Sequence, residues 1–131
     1  MSLITINHEK DYRLTASVRN HKVTVDLPPD QGGTDAGLAS VESLVAALGS
    51  CMTMHIAMYC RAAKLPLAGR SADLDFQLAK DPLRTGSVTV DITLPPDFPP
   101  ARVAAVKRVA QHCIVRNTLK ENTVIDLEIV S

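Results

Sequence analysis

Two cysteines in different settings carry the chemistry this chain can do. Cys51 lies within an apolar stretch, residues 46–54, that reads as part of a buried helix. Cys113 sits at the end of a second amphipathic run, in Gln111-His112-Cys113-Ile114-Val115-Arg116-Asn117. They are distant in sequence, and a packed core could bring one to the other. Nothing in the sequence suggests secretion, so such a pair points to redox chemistry or metal binding before a structural staple. The third cysteine, Cys60, makes the count odd and argues against a closed disulfide framework. At 100° per residue Cys60 falls about 180° from Cys51 around a helix, whereas His55 and Met58 fall within about 40° of it. Cys60 is therefore expected to be a small core residue.

The bulk properties narrow the classes. A chain of 131 residues is expected to form one domain, residues 1–131, with an aliphatic core, because it has no Trp and only two Phe and two Tyr. Fourteen basic and fourteen acidic side chains cancel, so no net field favours nucleic acid or an anionic membrane. The first ten residues lack a basic head, an apolar stretch of signal length and a small-residue cleavage site, so a cytoplasmic location is expected. From Ser43 to Cys60 no Asp, Glu, Lys or Arg occurs, a run of 18 residues at the lower edge of membrane-span length. Ser43, Gly49, Ser50, Thr53 and His55 interrupt it, so the centre of a soluble core or dimer is expected and no membrane span.

The elements that must position the cysteines follow from periodicity. Leu14, Ala16 and Val18 alternate with Thr15 and Ser17, and Val23, Val25 and Leu27 with Thr24 and Asp26, which predicts a hairpin turning through residues 19–22. Residues 27–33, Leu-Pro-Pro-Asp-Gln-Gly-Gly, end it in a loop. Ser40 is the expected N-cap of a long helix running to about Lys64, before Pro66. A second hairpin pairs Ala72, Leu74, Phe76 and Leu78 with Val88, Val90, Ile92 and Leu94, around a turn at residues 80–86. After the stiff residues 95–100, a second helix is expected from about Ala101, with Val103, Val106, Ala110 and Cys113 on one stripe. A last strand is expected from Ile125, Leu127 and Ile129 alternating with Asp126 and Glu128. The order is ββ, α, ββ, α, β, an α+β domain. A long helix apolar on all sides exceeds what one small sheet can cover, which predicts a two-fold dimer.

In this order, several segments resemble the osmotically inducible protein C / organic hydroperoxide resistance (OsmC/Ohr) family. The turn Val18-Arg19-Asn20-His21-Lys22-Val23 is similar to the family's Gly-Arg-Asn-Gly-x-Val, and residues 27–33 to its proline-to-glycine loop. Val41-Glu42-Ser43-Leu44-Val45-Ala46-Ala47 resembles Pro-Glu-x-Leu-x-Ala-Ala, followed by Cys51, and Cys113-Ile114-Val115-Arg116-Asn117 resembles Cys-Pro-Val-Ser-Asn. The resemblance implies an intertwined OsmC-like homodimer with active sites at the subunit interface. It also implies a thiol peroxidase without metal or other cofactor, recycled by a dithiol such as a lipoylated protein. By matching position, Cys51 would be the peroxidatic cysteine, Cys113 the resolving one, Arg19 the activating cation and Glu42 its orienting partner. Val41 and Ile114 stand where the family has proline.

The chemistry is consistent with the residue types. A thiolate, not a thiol, attacks peroxide oxygen, and a buried cysteine inside a helix needs a cation to stabilise its charge. Arg19 would supply it, with Arg13 and Arg116 as alternatives. Attack gives a sulfenic acid at Cys51, and Cys113 condenses with it to a disulfide that a dithiol reduces by exchange. An apolar lining would favour organic hydroperoxides. Glu42 has a second reading as a carboxylate in the first turn of its helix, favoured by the macrodipole. Three other functions compete. Cys51, His55, His112 and Cys113 could form a metal site. His112 could serve as base to a nucleophilic cysteine in a hydrolase or transferase. A dimer lined by Met52, Met54 and Met58 could bind a lipophilic ligand or a partner without turnover.

Overall fold

The computed structural model describes residues 3–66 and 72–130. The chain forms two compact units, Met1–Val45 and Ala46–Ser131. The first is an antiparallel meander of β1 (Thr5–Lys10), β2 (Arg13–Val18) and β3 (His21–Val25), in spatial order β1-β2-β3. The hairpin expected between residues 14 and 27 is β2–β3, with a shorter turn than predicted. Ser17 pairs with Lys22 and Val18 with His21, so only Arg19 and Asn20 lie outside the ladder. Arg19 makes that tight turn possible with a left-handed backbone, φ 53°. Strand β1 was not anticipated. It pairs with β2 from Thr5↔Ser17 to Lys10↔Arg13, across an irregularity between His8 and Lys10.

The loop after β3 is organised by one buried carboxylate. Asp26 is 1% exposed. Its Oδ1 accepts the Leu27 N–H at 2.7 Å, and its Oδ2 accepts the Thr34 hydroxyl at 2.7 Å and the N–H groups of Ala36 and Thr34 at 3.1 and 3.3 Å. The chain turns back tightly enough that a Cβ on Gly33 would sit 2.0 Å from the Leu27 carbonyl oxygen. The Asp26 N–H then bonds to the Leu38 carbonyl at 3.1 Å, returning the chain beside β3 just before the long helix.

Helix α1, Ser40–Ala62, links the two units in sequence. Its first helical residue is Ser40, and the capping position falls on Ala39 instead of Ser40. The Ala39 carbonyl accepts the Ser43 N–H at 2.9 Å, and the Ala39 N–H donates to Glu42 Oε1 at 2.8 Å. This is the carboxylate arm of a capping box. The helix is buried along one stripe, Val45, Leu48, Met52, Ile56 and Cys60, at the three-and-four spacing of a helical face. On the other side Leu44, Met54 and Met58 are exposed. A two-stranded sheet and one short helix do not have the width to wrap both sides of α1. By length and composition α1 could also cross a membrane, with a mean hydropathy of 1.4 over its most apolar window, a test that core helices of soluble proteins pass too.

In the second unit, β4 (Ala72–Ala79) and β5 (Arg84–Ile92) form the expected hairpin, from Ala72↔Ile92 to Ala79↔Arg84. The sheet lies close to α1, since a Cβ on Gly49 would fall 2.5 Å from Leu74 Cδ1. After a 3₁₀ turn at Pro100–Arg102, α2 spans Val103–Gln111, two residues later than expected. The core joins the α1 stripe to Phe98, Val106, Ala110 and Cys113. Two expectations fail here. The second helix does not run through Cys113: this residue is extended (φ −85°, ψ 147°) and becomes the N-cap of α3, Ile114–Lys120. Among the described residues the final strand does not form: residues 122–130 pair with no strand, and Ile125, Leu127 and Ile129 are 83–87% exposed.

The Asp26 contacts predict an acid signature. Its carboxyl is lowered from an ordinary 3.8 to about 2, chiefly by the Thr34 hydroxyl, then by the Leu27 N–H, against an opposing effect of burial. A depressed carboxylate adds stability above its unfolded pKa and loses it as pH falls through its folded one. Asp26→Asn should lower the urea midpoint at pH 7, and the gap to the unaltered protein should close between about pH 4 and pH 2. A gap independent of pH over that window contradicts this role.

Candidate functional site

The second unit brings the two predicted cysteines together. Cys51 projects from the flank of the buried α1 stripe, next in sequence to Met52, and is half-buried. Cys113 reaches it from the break between α2 and α3 and is 0% exposed. The Cys51 thiol neighbours that of Cys113, and both are free. The helix break is what makes this contact. Extended backbone at Cys113 directs its sulfur into the core, where it accepts the Arg116 N–H at 3.2 Å.

Electrostatics differentiate the pair. Burial pushes the Cys113 thiol up, and the neighbouring Cys51 adds to that rise. The N–H groups of Arg116 and Val115 pull in the opposite direction without overcoming burial. Cys113 is thus a protonated thiol closed to solvent, beside one that solvent can reach. Burial also raises Cys60, which packs with Ile56 in the core. Such a pair can be oxidised to a disulfide, with the first attack on an external oxidant made by the accessible sulfur.

A groove of about 430 Å³ adjoins the thiols without including either of them. Its walls are Val88, Val90 and Ile92 of β5 and Val106 and Ala110 of α2, with Met52 from α1. Lys107 and Arg116 supply cations to the lining. Arg116 was one of the alternative cations in the sequence. Its guanidinium donates to the Gln111 carbonyl at 3.0 Å, so it is held near the groove by the same helix break that positions Cys113.

The remaining candidates are placed as follows. Arg19 and Glu42 both belong to the first unit. Arg19 is exposed at the β2–β3 turn, and Glu42 is exposed in the first turn of α1, bonded to the Ala39 N–H. Arg13 opens β2 and lines a small cleft with Lys10, Asp26 and Thr34. His55 is half-buried on α1, while the exposed His112 pairs its Nδ1 with the Arg108 carbonyl at 2.6 Å. Among the described residues no three His, Cys, Asp or Glu side chains converge as a metal-ligand group, which leaves the metal reading without a site there. One contributor was not singled out in the sequence, the Arg116 main-chain N–H on Cys113, which no residue type announces.

The burial difference predicts ordered labelling. Iodoacetamide added to native, reduced protein should modify Cys51 first, with Cys60 and Cys113 protected until urea is added. Peptide mass mapping reads the order, and equal native labelling of Cys51 and Cys113 contradicts it.

The fold has solved counterparts. One is an osmotic stress induced and detoxification response protein from Psychrobacter arcticus 273-4, with 24% identity over 90% of this chain and 88% of that chain, at a TM-score of 0.82. Another is an OsmC-like protein from Mycoplasma pneumoniae, with 16% identity over 92% and 87%, at 0.73. A third is the organic hydroperoxide resistance protein OsmC from Legionella pneumophila, with 16% identity over 93% and 90%, at 0.65. At these identities the likeness establishes a shared fold. No curated protein matches the chain significantly. The sequence itself matches the OsmC-like protein family across residues 32–128, most of its length, and the chain belongs to that family.

Proposed function

We propose that this protein is a cysteine-based thiol peroxidase that reduces organic hydroperoxides. The observation that carries this reading is the pairing of a half-buried Cys51 thiol with a neighbouring, fully buried Cys113 thiol. The description of the Legionella relative as an organic hydroperoxide resistance protein supports the choice of substrate class. In the first step the Cys51 thiolate attacks the terminal peroxide oxygen. The O–O bond breaks, the alkoxide takes a proton and leaves as the alcohol, and Cys51 becomes a sulfenic acid. The Cys113 sulfur then attacks Cys51, water departs with the sulfenic oxygen, and a disulfide forms. An external dithiol, of the lipoyl type, restores both thiols by exchange and is itself oxidised.

The site division suits these roles. The accessible sulfur meets the peroxide, and the protected one stays reduced until a sulfenic acid forms beside it. An apolar groove next to the pair gives alkyl tails a place to leave water. Arg19 is assigned as the cation that favours the Cys51 thiolate and Glu42 as the carboxylate that orients it. No cofactor or metal takes part. The working form is a homodimer in the cytoplasm, with neither nucleic acid nor membrane as a partner, in keeping with equal numbers of acidic and basic side chains.

Steady-state consumption of cumene hydroperoxide with dihydrolipoamide tests the scheme. Cys51→Ser should abolish it, while Cys113→Ser should consume about one equivalent and stop, with no resolving thiol to form the disulfide. Arg19→Ala should slow the first step about tenfold for each pKa unit the Cys51 thiol regains. Undiminished turnover in Cys51→Ser, or none in the unaltered protein, overturns the reading.

A further inference from the structure

Only His112 and Cys113 separate the end of α2 from the start of α3. Their backbone decides where the Cys113 sulfur points. Cys113 is extended, φ −85° and ψ 147°, and its sulfur accepts the Arg116 N–H at 3.2 Å. Sulfur is a weak acceptor, so that bond alone is a light restraint. The packing behind it is light as well. Helix α3 is seven residues long and contains no buried residue, a length at which a helix does not hold itself together in water.

The residues that follow Cys113 are this chain's own. Where the similar motif Cys-Pro-Val-Ser-Asn has proline and serine, Ile114 and Arg116 stand here. A proline at the first helical position would hold its own φ near about −65° and confine the preceding residue to extended backbone. That is the conformation Cys113 adopts, and Ile114 does not impose it. Arg116 supplies a different restraint. Its guanidinium reaches back across the break and donates to the Gln111 carbonyl at 3.0 Å. Gln111 is the last residue of α2, so its carbonyl has no acceptor role inside the helix, and the helix dipole favours a cation there. Arg116 thus grips both sides of Cys113, with its main chain on the sulfur and its side chain on the end of α2.

We propose that Arg116 is a positioning residue for the resolving step, clamping the break between α2 and α3 so that the Cys113 sulfur stays aimed at Cys51. This rests on the thiol peroxidase reading and adds to it the residue that sets the rate of disulfide closure. In that step the Cys113 sulfur attacks the Cys51 sulfur and the S–O bond of the sulfenic acid breaks. The hydroxyl leaves as water, taking the Cys113 thiol proton. The rate depends on how much of the time the attacking sulfur is in place. The clamp acts by geometry, so a proline that imposes the same geometry replaces it. Ile114 is 73% exposed, and a first-turn N–H has no partner inside the helix, so proline at this position removes neither a core contact nor a helical bond.

The test is oxidation of reduced protein by one equivalent of cumene hydroperoxide, quenched at successive times with dimedone. Peptide mass mapping then reads the Cys51 sulfenic acid and the disulfide separately. Arg116→Ala should lengthen the life of the sulfenic acid about fivefold, the equivalent of one net hydrogen bond. Adding Ile114→Pro to Arg116→Ala should restore the original rate of closure, although the double variant carries no cation at position 116. An unchanged sulfenic acid lifetime in Arg116→Ala overturns the positioning role and leaves the peroxidase standing. Slowed closure that Ile114→Pro does not restore overturns it too, because the guanidinium then acts by its charge. If the unaltered protein forms neither sulfenic acid nor disulfide, the peroxidase reading falls and this assignment falls with it.

Discussion

The structure depends on covering the apolar stripe of a 23-residue helix that carries no charged side chain between Glu42 and Arg61. The β4–β5 hairpin and α2 of the second unit cover one side of it. The β4–β5 hairpin approaches so closely that Gly49 replaces any side chain against Leu74, and α2 adds Val106 and Ala110 to the same core. Burying Leu48, Met52 and Ile56 of the α1 stripe, each worth about 1.5–3 kcal/mol, is a main favourable term available to so small a unit. The opposite side keeps Leu44, Met54 and Met58 exposed.

That same core sets the chemistry. Packing against α1 requires the chain after α2 to turn inward, and the residue at the turn is Cys113. Burial makes its thiol hard to ionise, and the Arg116 N–H prevents its sulfur from being an orphaned polar atom. Cys51, on the flank of the buried stripe, keeps access to solvent. One packing arrangement thus yields two thiols of unequal reactivity in contact. Unequal reactivity is what a stepwise oxidation needs, since two equally exposed thiols would be equally open to overoxidation.

Much of this was legible in the sequence, and the failures have physical causes. Alternation located β2, β3, β4 and β5, and the uncharged run located α1. Strand β1 escaped because Thr-Ile-Asn-His-Glu-Lys has little apolar alternation and is held by pairing with β2. The break before α3 escaped because Val106, Ala110 and Cys113 keep helical spacing across it, although the backbone turns extended at Cys113. Ile125, Leu127 and Ile129 carry a true strand pattern, but pattern cannot say whether a partner strand exists in the same chain. The two cysteines were found by residue type and setting, and their contact needed the structure. The contribution of Glu42 to the capping of α1 was also foreshadowed by its place in the first helical turn.

The central claim is that Cys51 and Cys113 act as one redox unit. It is tested most directly by treating fully reduced protein with one equivalent of cumene hydroperoxide, quenching within a single turnover and mapping the peptides by mass. The account predicts a Cys51–Cys113 disulfide with Cys60 still a free thiol. Survival of both thiols, or a disulfide that involves Cys60, would contradict it.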